Sequence, residues 1–293
     1  MKVSDLIKNV LTSLTTAAVF WYIEFAFHRP ILAAHNLHKT VDLSAESLVI
    51  VNADPLMEWP RPLPPWIKHV GPLLPTKIST AAPFQSVRHP PCFHSPRTNS
   101  SFYFTEEDCS PFFYASLGTL SALSRSEMLA IRSALNKLAP LRVIWKVDAF
   151  DFPADLTASE LASDSISVVP FLPQNALLAS SNIVGFLSHG GNNGLYEALF
   201  HGVPVTVIPI IADQLDNACK FAASGAALRI KSLNVELISE ALIAISNPVY
   251  RFRAKQVSRV LQNRPHALSE AVSWIEFAIL TKGVPYVKSG LVE

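Results

Sequence analysis

Past Pro111 the sequence settles into an alternation of short apolar runs and stretches with helical spacing. "FFYASLG" leads to a helical stretch near Arg125 to Leu138, followed by "LRVIWKV". "ISVVP" leads to a short helix near Gln174 to Ala179 and then to "IVGFLS". A helix ending at Gly202 precedes "PVTVIPI", and a helix from Asp213 that stops at Gly225 precedes "AALRI". Strands joined by helices through short connections predict a parallel sheet covered on both faces, a doubly wound α/β domain. Gly202 and Gly225 stand where helix C-caps favour a left-handed residue. The tail from Asn247 to Gly283 reads as helical, with Pro265 separating two helices.

Composition agrees with a large folded domain. Of 293 residues, 49% are hydrophobic and 16% charged, enough for a sizeable core and too apolar for general disorder. A formal net charge of +1 gives no electrostatic case for nucleic acid or an anionic membrane as partner. Cys92, Cys109 and Cys219 form neither a CxxC nor a metal-ligand spacing, although Cys92 and Cys109 could bridge in an oxidising compartment.

The first 111 residues are less regular. The apolar run Leu11 to Phe27 is shorter than the roughly 20 residues of a spanning helix. Asp5 and Glu24 disturb it further, so it reads as a buried or amphipathic helix. Leu48 to Asn52 is strand-like, and a proline-studded stretch leads to a second short strand ending at Gly71. Residues 75–111, rich in proline and serine and without an apolar period, read as a linker or surface insertion. They hold the sequon Asn99-Ser100-Ser101, which matters only in the secretory pathway.

The chemistry concentrates in residues 188–214, "SHGGNNGLYEALFHGVPVTVIPIIADQ". "SHGGNNG" lies where a strand ends and a helix begins, the place where open parallel sheets bind ligands. Gly190 and Gly191 let backbone approach a ligand, and the new helix offers unpaired N–H groups, suited to a diphosphate. His189 and Asn193 can add side-chain donors. Glu197, one turn after Asn193, can accept hydrogen bonds from a ribose diol. Asp213 and Gln214 open the next helix on the same side, and an acid beside an amide can read sugar hydroxyls. Taken singly these residues are turn chemistry, a solvated glutamate and an N-cap. Their conjunction over two successive strand–helix units points to a nucleotide sugar.

The stretch "FLPQNALLASSNIVGFLSHGGNNGLYEALFHGVPVTVIPIIADQLDNACKFAASGAAL" resembles the donor-binding signature of the UDP-glycosyltransferases. That family moves a sugar from UDP onto small lipophilic acceptors. "EWPRPLPPWIKHVGPL" resembles the close of its N-terminal domain, "FYASLGTL" its first donor-domain strand, and "NPVYRFRAKQVSRVLQNRPHALSEAVSWIEFAILTKG" its closing helices in the animal-type form. The resemblance implies a GT-B fold, with residues 1–74 from the acceptor domain, 75–111 a linker, 112–246 the UDP-sugar domain and 247–293 the closing helices. It implies that His189, Asn193 and Gly194 hold the diphosphate and Glu197 the ribose. Asp213 and Gln214 then hold the sugar, Gln174 and the backbone around Leu172 meet the nucleoside, and Ser116 lies in the phosphate-side turn.

The resemblance also has departures. Phe171 stands where relatives stack tryptophan on uracil, with less ring area, and Ser180 stands where relatives usually have histidine. The family's catalytic histidine lies early in its N-terminal domain. His28, His35 and His38 lie in no matching context, so the catalytic base is unassigned, and the chain is expected to begin late in that domain. The donor is a substrate and no separate cofactor or metal is implied. Full-length animal-type relatives sit at the endoplasmic reticulum membrane. A donor half of this kind is expected to bind UDP-sugar with little transfer of its own, and a partner chain could supply the acceptor side. The alternatives are a non-catalytic UDP-sugar-binding subunit and a truncated gene product. A sugar-nucleotide epimerase of the same fold fits the Asp-Gln and Pro-Gln elements less well.

Overall fold

A computed structural model describes residues 48–74, 92–94, 103–105, 110–118, 123–148, 151–170, 172–264 and 266–281. The chain divides into two compact units, Met1–Val49 with Ala278–Glu293, and Ile50–Phe277. The architecture below is that of the second. The readings of Leu11–Phe27, the sequon, His28, His35, His38 and Phe171 fall outside the described residues.

Six parallel strands form the centre: β5 (Phe112–Ser116), β6 (Arg142–Lys146), β7 (Ile166–Val169), β8 (Ile183–Ser188), β9 (Val205–Val207) and β10 (Ala227–Arg229). Their spatial order is β10-β9-β8-β5-β6-β7. The chain therefore winds outward from β5 in one direction, returns to the centre at β8, and winds outward in the other. This is the doubly wound topology expected from the alternation, and its switch point lies between β5 and β8.

Both faces of the sheet are buried, which explains why its strands read as continuous apolar runs. Alternate residues of β5 feed opposite layers: Phe112 and Tyr114 join one core cluster, Phe113 and Ala115 the other. The first layer packs against α3 (Gln174–Leu178), α4 (Asn192–Phe200), α5 (Gln214–Ala223) and α7 (Pro248–Gln262), which contribute Leu177, Leu195, Phe221 and Ala254. The second packs against α1 (Arg125–Asn136), α2 (Ala158–Leu161) and α6 (Val235–Ile245), through Ile131, Leu161 and Ile238. A last helix, α8, spans Ala267–Leu280.

Local chemistry sets the helix ends. Ser124 and Glu127 form a capping box at the start of α1, and Asn234 and Asn247 accept backbone N–H bonds at the starts of α6 and α7. Gly202 and Gly225 both take positive φ, 70° and 73°, just past the ends of α4 and α5.

The segment before the sheet forms a two-stranded pair, β1 (Val49–Val51) and β2 (Ile67–His69). Ala53 and Met57 enter the first core layer. The Asp54 carboxylate is buried and takes bonds of 2.9 and 3.0 Å from Arg264. The Asp54 N–H donates to the Tyr196 hydroxyl at 2.7 Å. Glu58 meets Lys220 at 2.9 Å, and Asn192 Nδ2 donates to the Asn52 carbonyl at 3.3 Å. These bonds seat the segment against α4, α5 and Arg264, just past the end of α7.

Two features differ from the sequence reading. The stretch read as a linker or surface insertion, to which no strand was assigned, contains an antiparallel pair, β3 (Cys92–His94) and β4 (Tyr103–Thr105), with Phe93 opposite Phe104. Short aromatic runs such as "FYFT" favour strands even between prolines. The helices α2 and α6 also stand in stretches to which the apolar pattern assigned no element.

Candidate functional site

The switch point opens into a cavity of about 410 Å³, within the range of small-molecule sites. It lies at the carboxyl ends of β5, β6 and β8, under the starts of α3, α4 and α5. Ser116, Leu172, Gln174, His189, Gly194 and Gln214 line it, all named from sequence. Asn193 is exposed on the first turn of α4, Glu197 stands one turn further on and half-buried, and Asp213 is exposed before α5. Ser180 does not line the cavity; it is buried, and its hydroxyl accepts the Asn182 N–H at 3.3 Å.

Helix α4 enters this space with Gly191 as its N-cap, and no side chain among the described residues bonds its first N–H groups. The partial positive charge of that end faces the cavity mouth. The glycines do something the sequence did not reveal. A methyl group on Gly191 would sit 2.5 Å from His189 Nε2, and one on Gly118 would sit 2.9 Å from it. The imidazole is therefore slotted between two glycine backbones. Gly190 has φ 95°, and a methyl there would meet Val207 Cγ1 at 2.9 Å and the Gln214 carbonyl at 3.0 Å. Its N–H donates to Ser188 Oγ at 3.1 Å.

Burial holds the His189 pKa below the ordinary histidine value; the Asp213 carboxylate opposes this and the Lys146 ammonium assists it. A hydrogen bond with the Ser116 backbone also opposes the lowering. Burial thus favours the neutral imidazole, and an anion placed beside it would favour the protonated form.

On the opposite wall a chain of partly buried bonds orders the groups expected to meet the nucleoside. Gln174 Nε2 donates to Glu197 Oε2 at 2.6 Å, and the Tyr114 hydroxyl donates to Gln174 Oε1 at 3.3 Å. Because a carboxylate only accepts, the amide orientation and the hydroxyl's direction both follow. Burial raises the pKa of Glu197, and the Gln174 bond partly offsets it. Burial likewise raises that of Tyr114, whose ring stacks on Phe186 at 5.0 Å. Gln174 is thus committed to Glu197 and Tyr114 on its two polar ends, and its bond fixes the placement of the glutamate.

The second turn is also preassigned in part. Gln214 is buried, and its Oε1 accepts the N–H groups of Ile210 and Ile211 at 2.8 and 2.9 Å. Only its Nε2 is left to face a ligand. Asp213 does not cap α5 with its side chain, as an aspartate there usually would.

Sequence reasoning missed Lys146, the one lysine or arginine among the described residues lining the cavity. Its Nζ sits 2.5 Å from Asp148 Oδ2. The signal was available, since Lys146 ends a parallel strand on the ligand side of the sheet. Tyr114 and Asn217 carried no such signal.

A family model described as UDP-glucoronosyl and UDP-glucosyl transferase matches residues 1–291. The chain belongs to that family. Among curated relatives, human UDP-glucuronosyltransferase 2B15 is 35% identical over 59% of this chain and 32% of its own length. The 2-hydroxyacylsphingosine 1-beta-galactosyltransferase of Mus musculus is 29% identical over 89% of this chain and 44% of its own. The chain thus spans less than half the length of these UDP-glycosyltransferases. Two solved structures share the fold. The glycotransferase of kitacinnamycin has a TM-score of 0.56 at 19% identity, covering 78% of this chain and 54% of that one. Os79 from O. sativa, solved in complex with UDP, has a TM-score of 0.50 at 20% identity, covering 56% of this chain and 40% of that one. The six-stranded parallel sheet and its helices thus share the α/β fold of these GT-B glycosyltransferases, as the alternating pattern and the motif resemblance led one to expect.

Proposed function

We propose that the cavity between β5 and β8 binds a UDP-sugar, and that the protein transfers its hexosyl group to a small lipophilic hydroxylated acceptor. The observation that carries this reading is the convergence of Ser116, Gln174, His189, Gly194 and Gln214 on one cavity at the switch point. In this reading the diphosphate lies against the free N–H groups of α4, with His189, Asn193 and Gly194 beside it and Lys146 adding charge from β6. Glu197 accepts from the ribose, the backbone around Leu172 meets the nucleoside, and Asp213 and Gln214 meet the hexose. The acceptor oxygen attacks the anomeric carbon, its proton passes to a base on the acceptor side, and the bond to the UDP oxygen breaks. Negative charge builds on the departing diphosphate, where the preorganised donors stabilise it. Residues 1–74 belong to the acceptor side of this scheme, 112–246 to the donor side, 75–111 to the connection and 247–293 to the closing helices.

The test is calorimetric titration with UDP and UDP-glucose. The unmodified protein binds UDP, and Glu197→Ala weakens it about 10- to 100-fold, the usual cost of hydrogen bonds to a charged group. Failure of the unmodified protein to bind UDP would overturn the reading, and unchanged affinity in the variant would remove Glu197 from the site. Product formation with phenols and steroids then separates a transferase from a binding subunit.

A further inference from the structure

The two turns that face the cavity meet on one side chain outside the cavity lining. Asn217, in the first turns of α5, is 3% exposed. Its Nδ2 donates to the Gly190 carbonyl at 3.1 Å and to Asp213 Oδ2 at 2.7 Å. Both partners only accept, so both amide hydrogens are used and the orientation of the amide is fixed. The backbone N–H of Asn217 also donates to the Asp213 carbonyl at 3.0 Å.

This arrangement explains why Asp213 fails to cap its own helix. Its backbone is helical, with φ −74° and ψ −6°, and its carboxylate turns to Asn217 four residues on. An exposed carboxylate samples several rotamers in water and loses that freedom when it binds a ligand. The bond from a buried amide removes that freedom beforehand. It leaves Oδ1 with no protein partner among the described residues. The same amide refers Asp213 to Gly190, the residue that leads into α4.

We infer that Asn217 is a positioning residue that fixes the Asp213 carboxylate relative to the Gly190 turn, and so sets the preference of the site for hexosyl nucleotides over free UDP. The inference rests on the donor-site reading above, in which Asp213 faces the hexose. It assigns the spacing between diphosphate and hexose contacts to a side chain outside the cavity lining.

A thermodynamic cycle tests it. UDP and UDP-glucose are titrated calorimetrically into the unmodified protein, Asn217→Ala, Asp213→Ala and the double variant, with thermal melting as a check on folding. Each single variant lowers the preference for UDP-glucose over UDP about tenfold, and the double variant lowers it no further. Affinity for UDP itself changes less than about threefold. A purely structural asparagine gives equal losses for both ligands, or losses that add in the double variant, and either result overturns the inference. Should Asn217→Ala not fold, Asn217→Ser keeps a single hydroxyl donor and serves in the same cycle. Equal affinity of the unmodified protein for UDP and UDP-glucose overturns the role of Asn217 while leaving the nucleotide site standing. No affinity for UDP overturns both.

Discussion

The turn from β8 into α4 and the turn from β9 into α5 face the same cavity and are built in opposite ways. The first is made by subtraction: Gly190 and Gly191 lack the side chains that would strike Val207, the Gln214 carbonyl and the His189 ring. The second is made by addition: Gln214 folds its side chain back to hold the N–H groups of Ile210 and Ile211, and Ala212 is left at φ 54°. The difference teaches where each turn is vulnerable. A turn made by absence fails when any atom is added. A turn made by a side-chain clamp fails when the clamp is removed, and it tolerates changes that keep the clamping oxygen.

The largest effect is therefore expected at Gly190. An added methyl must be accommodated against a backbone carbonyl at 3.0 Å, at a φ of 95° that side-chain-bearing residues rarely adopt. Gly190→Ala is expected to cost about 2–4 kcal/mol of stability and to abolish measurable UDP binding. Thermal melting and titration check this. A variant that keeps both properties would show that the turn has room the packing does not display.

A smaller effect separates the two functions of the clamp. Gln214→Ala leaves two N–H groups without their acceptor and is expected to cost about 1–2 kcal/mol, with the loss of hexose contacts added. Gln214→Glu keeps the accepting oxygen and removes the Nε2 donor. It should melt close to the unmodified protein yet bind UDP-glucose about tenfold more weakly. If both variants melt alike, Gln214 reads the sugar without holding the turn, and the contrast between the two turns disappears.

The same contrast decides what could be read from sequence. Glycines at a strand-to-helix junction leave a visible mark, so the first turn and its His189 were legible, although the glycines turn out to make room for the protein's own atoms. The clamp was not legible, because glutamine has no preferred local role and the bond depends on how the loop folds back. The Tyr114–Gln174–Glu197 chain joins residues 60 and 23 positions apart, which no local pattern links. The strands of the sheet were legible because burial on both faces makes them continuous apolar runs. Helix α6 was not: Leu237 and Ile243 are exposed while Ile238, Leu242 and Ile245 are buried, and the outward apolar residues blur its 3.6-residue period. Lys146 is the instructive omission, since the rule that placed His189 at a strand end applies equally to it.

The smallest effect lies at Ala212. A left-handed alanine costs roughly 1 kcal/mol relative to an ordinary backbone position, and glycine would remove that cost. Glycine also widens the unfolded ensemble, by roughly 0.5–1 kcal/mol, so the two contributions nearly cancel. Ala212 is exposed, and no packing is lost by the change. Ala212→Gly is thus expected to raise stability by at most about 0.5 kcal/mol, a shift of one or two degrees in Tm. Ala212→Val, whose branched side chain tolerates positive φ poorly, should lower it by about 1 kcal/mol or more. The ordering of the two variants is the measurement that matters. If valine melts no lower than glycine, Ala212 leaves the left-handed region in solution. The second turn would then be held by a relaxed backbone with Gln214 merely resting on it, and the Gln214→Ala cost should shrink in proportion.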